Sequence, residues 1–473
     1  MRIIGRRREI KELEQCEKSN KSELVCVYGR RRVGKTFLVE QTFAGSLAFR
    51  ATGVEGGNTK QQLKAFYQRL KEHGDEINTI PKDWFEAFSR LDRVLSGDET
   101  VRSFHGKKIV FLDEFPWFAT PRSDFLMAFG EFWNRRGTES GDYLFIICGS
   151  ATSWIIKNVL NNTGSLYHRV TCQIFLAPFT LRETEMFFMD RDFDWTRNQI
   201  MESQMIFGGL PFFLELLNRN ESLGQNVDRL LFGSRALLRG ESNRLLEATL
   251  SKSPVYGEIL ELLSHHRYGV MRSHCQEQLD IPDGTFSRAV EDLLKCGYII
   301  EYKRKYEKRK PAYIQLVDPF LIFHYNFLSP KSSVTSYSDL RSKEGAFSNW
   351  RGTAFEILCI KHIDQIKTAL GISGVKSECY PWISLRKEGG AQIDLVIERE
   401  DRVTDLCEMK CTDSTFMMTK EYEAKLINKR NVFREETGTK QALLIVLISA
   451  EGASGVSHME YISEVVTLDD LFA

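Results

Sequence analysis

The chain has 473 residues and a mass of 54.6 kDa, which is too large for one hydrophobic core and predicts about three domains. Hydrophobic residues make up 42% of the sequence and charged residues 27%, as in globular proteins. Because 64 basic residues balance 64 acidic ones, the net charge excludes attraction of nucleic acid by the whole chain and leaves only local patches for such contacts.

A phosphate-binding motif, GRRRVGKT, follows the first predicted strand at residues 24–28. Backbone N–H groups between Gly29 and Gly34 can converge on phosphate oxygens. Lys35 can reach the β and γ phosphates, and Thr36 can offer its hydroxyl to Mg²⁺. A helix predicted to open at Gly34 adds its positive N-terminal end. The sequence therefore predicts a P-loop whose nucleotide-contacting residues are Gly29, Arg30, Arg31, Arg32, Val33, Gly34, Lys35, Thr36 and Phe37.

A second motif ends the apolar strand predicted at residues 108–112. Before it, the pattern predicts a short strand at 47–49 and helices near 59–71 and 81–95. Asp113 and Glu114 follow the strand directly. Beside a P-loop, Asp113 would hold Mg²⁺ through water and Glu114 would polarise the attacking water. A solvated turn is the alternative, and the P-loop upstream favours the catalytic interpretation.

Two further strands are predicted at residues 143–148 and 171–176. After the first of them, Ser150 or Thr152 could sense the γ phosphate, or could cap the helix that precedes Trp154. The alternation of strands and helices predicts an α/β fold with a parallel, doubly wound sheet. Its ligand crevice would lie at the carboxyl ends of the strands. We expect this ATPase core to span residues 1–178.

Helical spacing of apolar residues predicts a helical lid over residues 179–250. Residues 251–328 follow another order, because three predicted helices precede two strands joined by a basic hairpin, as in a winged helix-turn-helix. The wing at 302–310 carries six basic residues against one glutamate, which suits contact with DNA phosphates. A solvated hairpin and a protein docking module are the alternatives. Residues 329–345, which are polar and rich in serine, are the predicted linker.

The last predicted domain, residues 346–473, begins with a helix and continues with two strands at 391–397 and 405–411. Glu408 and Lys410 are two residues apart on a strand, so both side chains leave the same face. Together with Asp394 and Glu356, they resemble a PD-(D/E)XK nuclease core of α/β, restriction-endonuclease-like fold. The resemblance implies that Asp394, Glu408 and Glu356 hold Mg²⁺ and that Lys410 activates a water. An exposed hairpin with one charged face is the alternative, and Ile393 replaces the proline of the motif.

Several sequence blocks together resemble the archaeal-type ATPase family, a branch of the AAA-related and STAND P-loop ATPases. The blocks are IGRRREI at 4–10, GRRRVGKT, FLDEF at 111–115, CGSATSW at 148–154, LYHR at 166–169 and GGLP at 208–211. The resemblance implies that Gly5 and Arg6 lie near adenine, that Arg169 lies near the phosphates, and that Pro211 belongs to a lid that senses nucleotide. Arg135 and Arg136 rival Arg169 as charge-stabilising arginines. The C-terminal region also resembles a domain of unknown function that is fused to such ATPases.

The ten cysteines form no CxxC pair, and Cys407 and Cys411 have no nearby histidine that would complete a zinc site, so we expect reduced thiols. The basic start of the chain is not followed by an apolar segment, as it would be in a signal peptide, and no run of 18 apolar residues could cross a bilayer. We expect a cytoplasmic protein without membrane contact.

These features predict an ATP- and Mg²⁺-dependent ATPase that acts as a nucleotide-controlled, DNA-associated protein and that could carry Mg²⁺-dependent nuclease activity. The alternative is a non-cleaving, STAND-like signalling or defence switch that binds DNA or a protein partner and uses the winged helix as a docking module. A homo-oligomer is a further candidate assembly.

Overall fold

A computed structural model describes residues 2–137, 141–233, 235–250, 253–303, 311–330, 332–386, 388–455 and 459–473. The chain divides into two units. Unit one comprises residues 1–178 and 245–252, and unit two comprises residues 179–244 and 253–473. The finer division into an ATPase core, lid, winged helix, linker and C-terminal domain remains a prediction.

Unit one alternates strands with helices. Its elements are α1 (Arg7–Lys18), β1 (Glu23–Tyr28), α2 (Lys35–Thr42), β2 (Leu47–Thr52), α3 (Thr59–Glu72), α4 (Trp84–Ser96), β3 (Lys108–Asp113), α5 (Phe115–Phe118), α6 (Phe125–Arg136), β4 (Tyr143–Gly149), α7 (Thr152–Ile155), a π-helical turn (Ile156–Leu160) and β5 (Cys172–Phe175).

The five strands of unit one form a parallel sheet in the order β2-β3-β4-β1-β5. The central strands β1, β3 and β4 are almost completely buried, which explains why they read as continuous apolar runs and not as alternating ones. An aromatic cluster around Trp84, Phe88 and Phe125 packs the helices α3, α4 and α6 over one face. The predicted parallel α/β sheet is therefore confirmed.

The carboxyl ends of parallel strands share one edge of a sheet, and the predicted motifs of unit one meet there. The P-loop leaves β1, Asp113 ends β3, and Ser150 follows β4. Gly29 must be glycine, because its φ is 145° and a Cβ would lie 2.4 Å from the carbonyl oxygen of Leu176. Backbone approach thus keeps the turn after β1 tight.

Unit two begins with short helices and continues with a small sheet. The helices are α8 (Leu181–Met189), α9 (Arg197–Phe207), α10 (Pro211–Glu215), α11 (Leu223–Val227), a π-helical turn (Asp228–Phe232) and α12 (Glu241–Thr249), within which the boundary between the units falls. The segment predicted as a winged helix contains α13 (Pro254–Ser264), β6 (Val270–Met271), α14 (Arg272–Leu279), α15 (Asp283–Lys295), β7 (Ile299–Lys303) and β8 (Ala312–Leu316). Its three strands pair antiparallel in the order β6-β8-β7.

Residues 329–345, which we predicted to be a linker, contain a short helix. After α16 (Pro319–Phe323) and a π-helical turn (His324–Leu328), Ser336 caps α17 (Tyr337–Ser342) by accepting a hydrogen bond from the Asp339 N–H. Tyr337 and Leu340 are buried although the surrounding sequence is polar. The next helix, α18 (Glu344–Lys361), begins inside the predicted linker, two residues before the predicted start of the C-terminal domain at 346. Two apolar residues three apart are too few to reveal α17 by periodicity.

The C-terminal part of unit two is a mixed sheet flanked by helices. Its elements are α19 (Ile363–Ala369), β9 (Ser377–Ile383), β10 (Gln392–Arg399), β11 (Val403–Lys410), β12 (Phe416–Met417), α20 (Lys420–Thr437), β13 (Ala442–Ser449), β14 (Ala453–Ser454), β15 (Ile462–Thr467) and α21 (Leu468–Leu471). The strand order is β15-β13-β11-β10-β9, in which β10 is antiparallel to β9 and β11. The predicted strand pair at 391–397 and 405–411 is therefore present.

All ten cysteines are free thiols, as expected. Among the described helices, none combines the length and the apolar character that a bilayer span requires.

Candidate nucleotide site and a second carboxylate site

The P-loop lysine is held at the carboxyl edge of the first sheet. Lys35 begins α2, one residue after the predicted start, because Gly34 is the N-cap with a φ of 90°. Its Nζ donates to the carbonyl oxygens of Gly29 at 3.0 Å and Arg30 at 2.8 Å, and to Ser150 Oγ at 3.1 Å. Burial lowers the pKa of Lys35, while the nearby carboxylates oppose that shift. Since its present partners are neutral oxygens, the buried ammonium group would gain from an anionic partner.

Thr36 and Asp113 meet as the sequence predicts. Thr36 Oγ1 donates to Asp113 Oδ2 at 3.0 Å, and the buried Cys148 thiol donates to Asp113 Oδ1 at 2.7 Å. Burial and the charge of Asp113 raise the pKa of Cys148, so the thiol keeps its proton and remains a donor. The two hydrogen bonds fix the orientation of the carboxylate.

Glu114 is linked to Lys35 through one hydroxyl group. Ser150 Oγ donates to Glu114 Oε1 at 2.8 Å while it accepts from Lys35, and the Ser150 N–H donates to Glu114 Oε2 at 3.2 Å. Ser150 is not a helix cap, since Ala151 occupies the N-cap position of α7. Thr152 is buried, and its hydroxyl donates to the Ser150 carbonyl oxygen at 3.4 Å. Of the two residues that could sense phosphate, Ser150 is therefore the one placed at the loop.

The opening segment of the chain is anchored beside the P-loop. Gly5 and Arg6 both have positive φ, of 65° and 54°. The buried Arg6 guanidinium donates to the carbonyl oxygen of Ala177 at 2.7 Å and of Val33 at 3.4 Å. Since Ala177 follows β5, Arg6 joins the start of the chain, the P-loop and the edge strand. Its proximity to adenine remains a prediction.

The other loop residues differ in burial. Arg30 and Val33 are buried, whereas Arg31, Arg32 and Phe37 are half-buried. Arg32 has a φ of 75°, a conformation that costs energy for a residue with a side chain. Such strain is common in loops that bind ligands through their backbone.

The candidate arginine finger lies at the other edge of the sheet. Thr171, just before β5, pairs with Leu24 at the amino end of β1, and Arg169 precedes it with an exposed side chain. Arg135 and Arg136 end α6, also on the amino side of β4, and Arg136 is ion-paired with Asp92 at 2.8 Å. Because a strand rises about 3.3 Å per residue, β1 separates these arginines from Lys35 of the same chain by more than one side-chain length. The prediction that Arg169 lies near the phosphates is therefore not met within one chain.

Pro211 occupies a helix start in unit two. It is the first residue of α10, and Gly209 before it has a φ of 67°, with the Phe179 carbonyl oxygen 2.5 Å from the position of a Cβ. The geometry explains the Gly-x-Pro spacing by local backbone packing. A role in sensing nucleotide remains a prediction.

A second group of carboxylates lies on the C-terminal sheet, where Asp394, Glu408 and Lys410 occupy the neighbouring strands β10 and β11. Asp394 sits in an irregularity of the β9–β10 ladder between Ile393 and Val396, and its Oδ2 accepts from the Met409 N–H at 2.9 Å. Lys410 Nζ lies 3.0 Å from Glu408 Oε1. The three residues therefore lie on neighbouring strands, and their roles at a metal site remain a prediction.

Helix α20 adds two residues that sequence reasoning missed. Lys429 Nζ contacts Glu408 Oε2, and the Tyr422 hydroxyl donates to Glu408 Oε1. Burial alone would raise the pKa of Glu408, but Lys429 and Lys410 lower it below its usual range. Glu408 is therefore a buried carboxylate that is already compensated by two cations.

The turn between α13 and β6 contributes two more contacts. Arg267 Nε donates to Glu356 Oε2 at 2.7 Å, with Nη2 against Oε1, and Glu356 is only 6% exposed. The Tyr268 hydroxyl donates to Asp394 Oδ1 at 3.3 Å and is itself contacted by Gln392. Burial and the neighbouring Glu408 raise the pKa of Asp394. No signal in the sequence connects this turn to residues about 100 positions downstream.

The two carboxylate sites differ in their fit to a metal ion. Within the described ranges, no three histidine, cysteine or carboxylate side chains stand close enough to share one ion. Mg²⁺ commonly takes one carboxylate together with a hydroxyl and phosphate oxygens, which Thr36 and Asp113 fit. Glu356, Asp394 and Glu408 do not fit as they stand, because Arg267, Tyr268, Lys410, Lys429 and Tyr422 hold their oxygens.

The predicted DNA-contacting residues are partly described. Thr285, Ser287 and Arg288 lie in the first turns of α15, and Arg288 lines a surface groove of about 470 Å³ together with Arg272. The predicted wing at 302–310 falls mainly on residues 304–310, which lie outside the described residues.

Comparisons with known proteins bear on unit one in particular. Residues 3–215 match the family model of an ATPase domain found predominantly in Archaea. An uncharacterized protein of Methanocaldococcus jannaschii is 23% identical over 360 residues, which are 75% of each chain. The Walker-type ATPase of Pyrococcus abyssi has 18% identity and a TM-score of 0.50 over 69% of this chain and 96% of its own. The ORC2 protein of Aeropyrum pernix, in ADPNP–ADP complexes, has 13% identity and a TM-score of 0.45 over 73% of this chain and 96% of its own.

At 18% identity, the likeness to the Pyrococcus abyssi structure shows the fold alone, and it agrees with the parallel sheet and its P-loop. The family match includes Lys35, Asp113 and Glu114. Residues 3–215 of this chain therefore form a P-loop ATPase domain of the archaeal type.

Proposed function

We propose that the chain binds and hydrolyses Mg·ATP at the carboxyl edge of the first sheet and uses the nucleotide state to control a DNA-associated unit two. The observation that carries the proposal is the joining of Lys35, Ser150 and Glu114 by hydrogen bonds next to the Thr36–Asp113 pair. The groups needed for phosphate binding, cation binding and water activation thus meet at one sheet edge.

The chemistry follows from these groups. Mg²⁺, when bound, would neutralise charge on the β and γ phosphate oxygens. Lys35 would exchange its carbonyl partners for phosphate oxygens, since a buried ammonium group gains most from an anion. Glu114, which the Ser150 hydroxyl and N–H hold in place, would orient the attacking water and accept its proton. Adenine is the favoured base, because the sequence offers no NKxD motif for guanine.

A charge-stabilising arginine would have to come from outside this site. Arg169 is exposed at the amino edge of the sheet, so within this proposal it serves a neighbouring copy of the chain. The isolated chain should then turn over slowly, because supplying such an arginine accelerates phosphoryl transfer by about 10³–10⁵-fold. A homo-oligomer is the assembly that this reasoning favours.

The test compares Lys35→Ala and Glu114→Gln with the exposed control Lys64→Ala. Glu114→Gln should bind ATP like the wild type and lose turnover by about 10²–10⁴-fold, because it removes the base but not the phosphate contacts. Lys35→Ala should lose both binding and turnover. Calorimetry that detects no adenine nucleotide binding to the wild-type protein at millimolar ligand would contradict the proposal.

The finer function of unit two has two candidates. A DNA-processing enzyme is supported by Asp394, Glu408 and Lys410 on adjoining strands. It predicts Mg²⁺-dependent nicking that Asp394→Ala and Lys410→Ala abolish. A non-cleaving, STAND-like switch is supported by the compensation of Glu356 and Glu408 by cations of the protein itself. It predicts ATP-dependent complex formation with DNA or a protein, which Lys35→Ala abolishes and Asp394→Ala leaves intact.

A further inference from the structure

The turn that contacts the C-terminal carboxylates is mounted on the predicted winged helix. We call residues 266–269 the plug turn. Gly269 has a φ of 68° and its Cβ position lies 2.4 Å from the Ile314 carbonyl oxygen of β8, so only glycine permits this approach. Gln315 Nε2 donates to the Arg267 carbonyl oxygen at 2.7 Å, and the Tyr302 hydroxyl donates to that of Tyr268. These contacts present Arg267 and Tyr268 on a rigid support.

The plug turn completes the charge balance of the site. Three carboxylates, on Glu356, Asp394 and Glu408, are met by three cations, on Arg267, Lys410 and Lys429. The two lysines belong to the C-terminal sheet and helix and both contact Glu408. Arg267 is therefore the cation that reaches Glu356, and Tyr268 is the neutral group that takes an oxygen of Asp394.

Removing the plug turn would leave Glu356 buried without its cation. A buried carboxylate that loses its partner is strongly unfavourable, so it would take up either a proton or a replacement cation. The oxygen atoms that the plug turn would release, from Glu356 and Asp394, are the hard ligands that divalent cations prefer. Arg267 is 41% exposed, so it can leave toward solvent without crossing the core.

An apolar contact supports the docked position. Tyr302 and Tyr313 of the small sheet stack at 5.6 Å and share a buried cluster with Tyr380, Trp382 and Val396 of the C-terminal sheet. Burial of these rings favours the docked arrangement by the hydrophobic effect, while the plug turn supplies the polar part of the same interface. The interface thus combines the ring cluster with the polar contacts of the plug turn, and both would separate if the small sheet moved away from the C-terminal sheet.

We propose that the plug turn excludes divalent cations from the C-terminal carboxylates, so that docking of Arg267 and Tyr268 and binding of a divalent cation are mutually exclusive. The proposal concerns the regulation of the nuclease-like site and rests on the proposed role of unit two. Because the coupling is reciprocal, loosening the plug turn must tighten cation binding, and cation must loosen the plug turn by the same factor.

The experiment measures Mn²⁺ binding to the nucleotide-free, full-length protein by electron paramagnetic resonance. Arg267→Gln should bind Mn²⁺ about 10-fold or more tightly than the wild type at a site that Asp394→Asn removes, which lies within the usual range of such couplings. Arg272→Gln is the matched control, since Arg272 belongs to the same segment and pairs with Glu301 instead. Tyr268→Phe, which removes only the hydroxyl, should give a smaller increase and keeps the test possible if Arg267→Gln does not fold.

Hydrogen exchange is a second measurement, which distinguishes exclusion of Mn²⁺ by the plug turn from the simple effect of removing one positive charge. In the wild type, saturating Mn²⁺ should increase hydrogen exchange of backbone amides at 266–271, and Asp394→Asn should abolish the increase. Folded Arg267→Gln that binds Mn²⁺ no better than Arg272→Gln, or unchanged exchange at saturating Mn²⁺, would overturn the proposal. Tight Mn²⁺ binding by Arg267→Gln without DNA cleavage would support the plug turn and contradict cleavage. A wild type that nicks DNA and binds Mn²⁺ as tightly as Arg267→Gln would support cleavage and contradict the plug turn.

Discussion

The molecule contains two sites built from a lysine and neighbouring carboxylates, and they are compensated in opposite ways. At the first site, Asp113 and Glu114 receive hydrogen bonds from Thr36, Cys148 and Ser150, which are neutral groups. At the second, three carboxylates face Arg267, Lys410 and Lys429. Hydroxyl and thiol partners orient a carboxylate but leave its charge available to an external cation, whereas ammonium and guanidinium partners neutralise it.

The difference shows that a lysine with neighbouring carboxylates can form either a charged site that is open to a cation or a site that the protein itself neutralises. A site that keeps negative charge near a buried ammonium group is open to an external cation and to an anionic ligand, at some cost in stability. A neutralised site is stable without a ligand and must be opened before a cation can bind. The first arrangement suits a site that takes up a charged ligand directly, and the second suits one that is held back.

The largest effect expected from this comparison concerns Asp113. Asp113→Asn should lower ATP turnover by about 100-fold or more, because the amide cannot offer a charged oxygen to Mg²⁺. The unfolding free energy should change by less than about 1 kcal/mol, because neutral partners can still bond to the amide. Steady-state ATPase assays and urea unfolding check both parts, with exposed Asp98→Asn as control. A large loss of stability would show that the first site is also internally compensated.

Next in size is the effect of Lys429 on stability. Lys429→Met should lower the unfolding free energy by about 2–3 kcal/mol, somewhat below the cost of breaking a fully buried pair, since Lys410 still reaches Glu408. Urea unfolding measures the loss, and Lys425→Met, on the exposed side of the same helix, should change little. Adding Glu408→Gln to Lys429→Met should recover part of the loss. Equal stability of the two single variants would contradict internal neutralisation of the second site.

A pH titration of stability tests another buried group of unit two, a histidine that is neutral in the fold. His362 Nε2 accepts from the Leu181 N–H at 3.0 Å, and burial lowers its pKa to about 4. Between the usual pKa near 6.5 and about 4, the unfolded chain binds a proton that the folded chain does not, so stability falls as pH falls. From pH 7 to 5 this group should cost roughly 2 kcal/mol of unfolding free energy.

His362→Gln should therefore show a shallower loss of stability between pH 7 and 5 than the wild type, whatever its stability at pH 7. Urea unfolding at both pH values gives the slope. His274→Gln, at an exposed position of the same unit, should keep the wild-type slope. Parallel slopes in all three proteins would show that folding does not lower the pKa of His362.

The smallest expected effect concerns the thiol that orients Asp113. Cys148→Ala should raise the half-saturating Mg²⁺ concentration for ATP hydrolysis by about 2–10-fold, the worth of one hydrogen bond, and leave the saturated rate nearly unchanged. Cys148→Ser keeps a donor and should lie closer to the wild type. An unchanged Mg²⁺ dependence of Cys148→Ala would mean that Thr36 alone orients the carboxylate.

Sequence patterns predicted the elements of the first site well. Lys35, Thr36 and Asp113 follow buried strands, and parallel strands necessarily place their carboxyl ends on one edge. The same reasoning placed Glu408 and Lys410 on one face of a strand. The helix α17 was missed because Tyr337 and Leu340 give too short a periodic signal. Arg169 was assigned to the phosphates by resemblance, and the register of β5 beside β1 puts it at the opposite edge.

The sequence by itself determined the P-loop, the parallel sheet behind it and the carboxylates of both sites, because strand burial, glycine conformation and two-residue spacing are local properties of the chain. Only the tertiary structure decided what compensates those carboxylates. Arg267, Tyr268 and Lys429 reach their partners through contacts between residues far apart in the chain, and electrostatic interactions depend on distance in space and on burial. Whether a carboxylate remains charged and available is therefore settled by its neighbours in the fold.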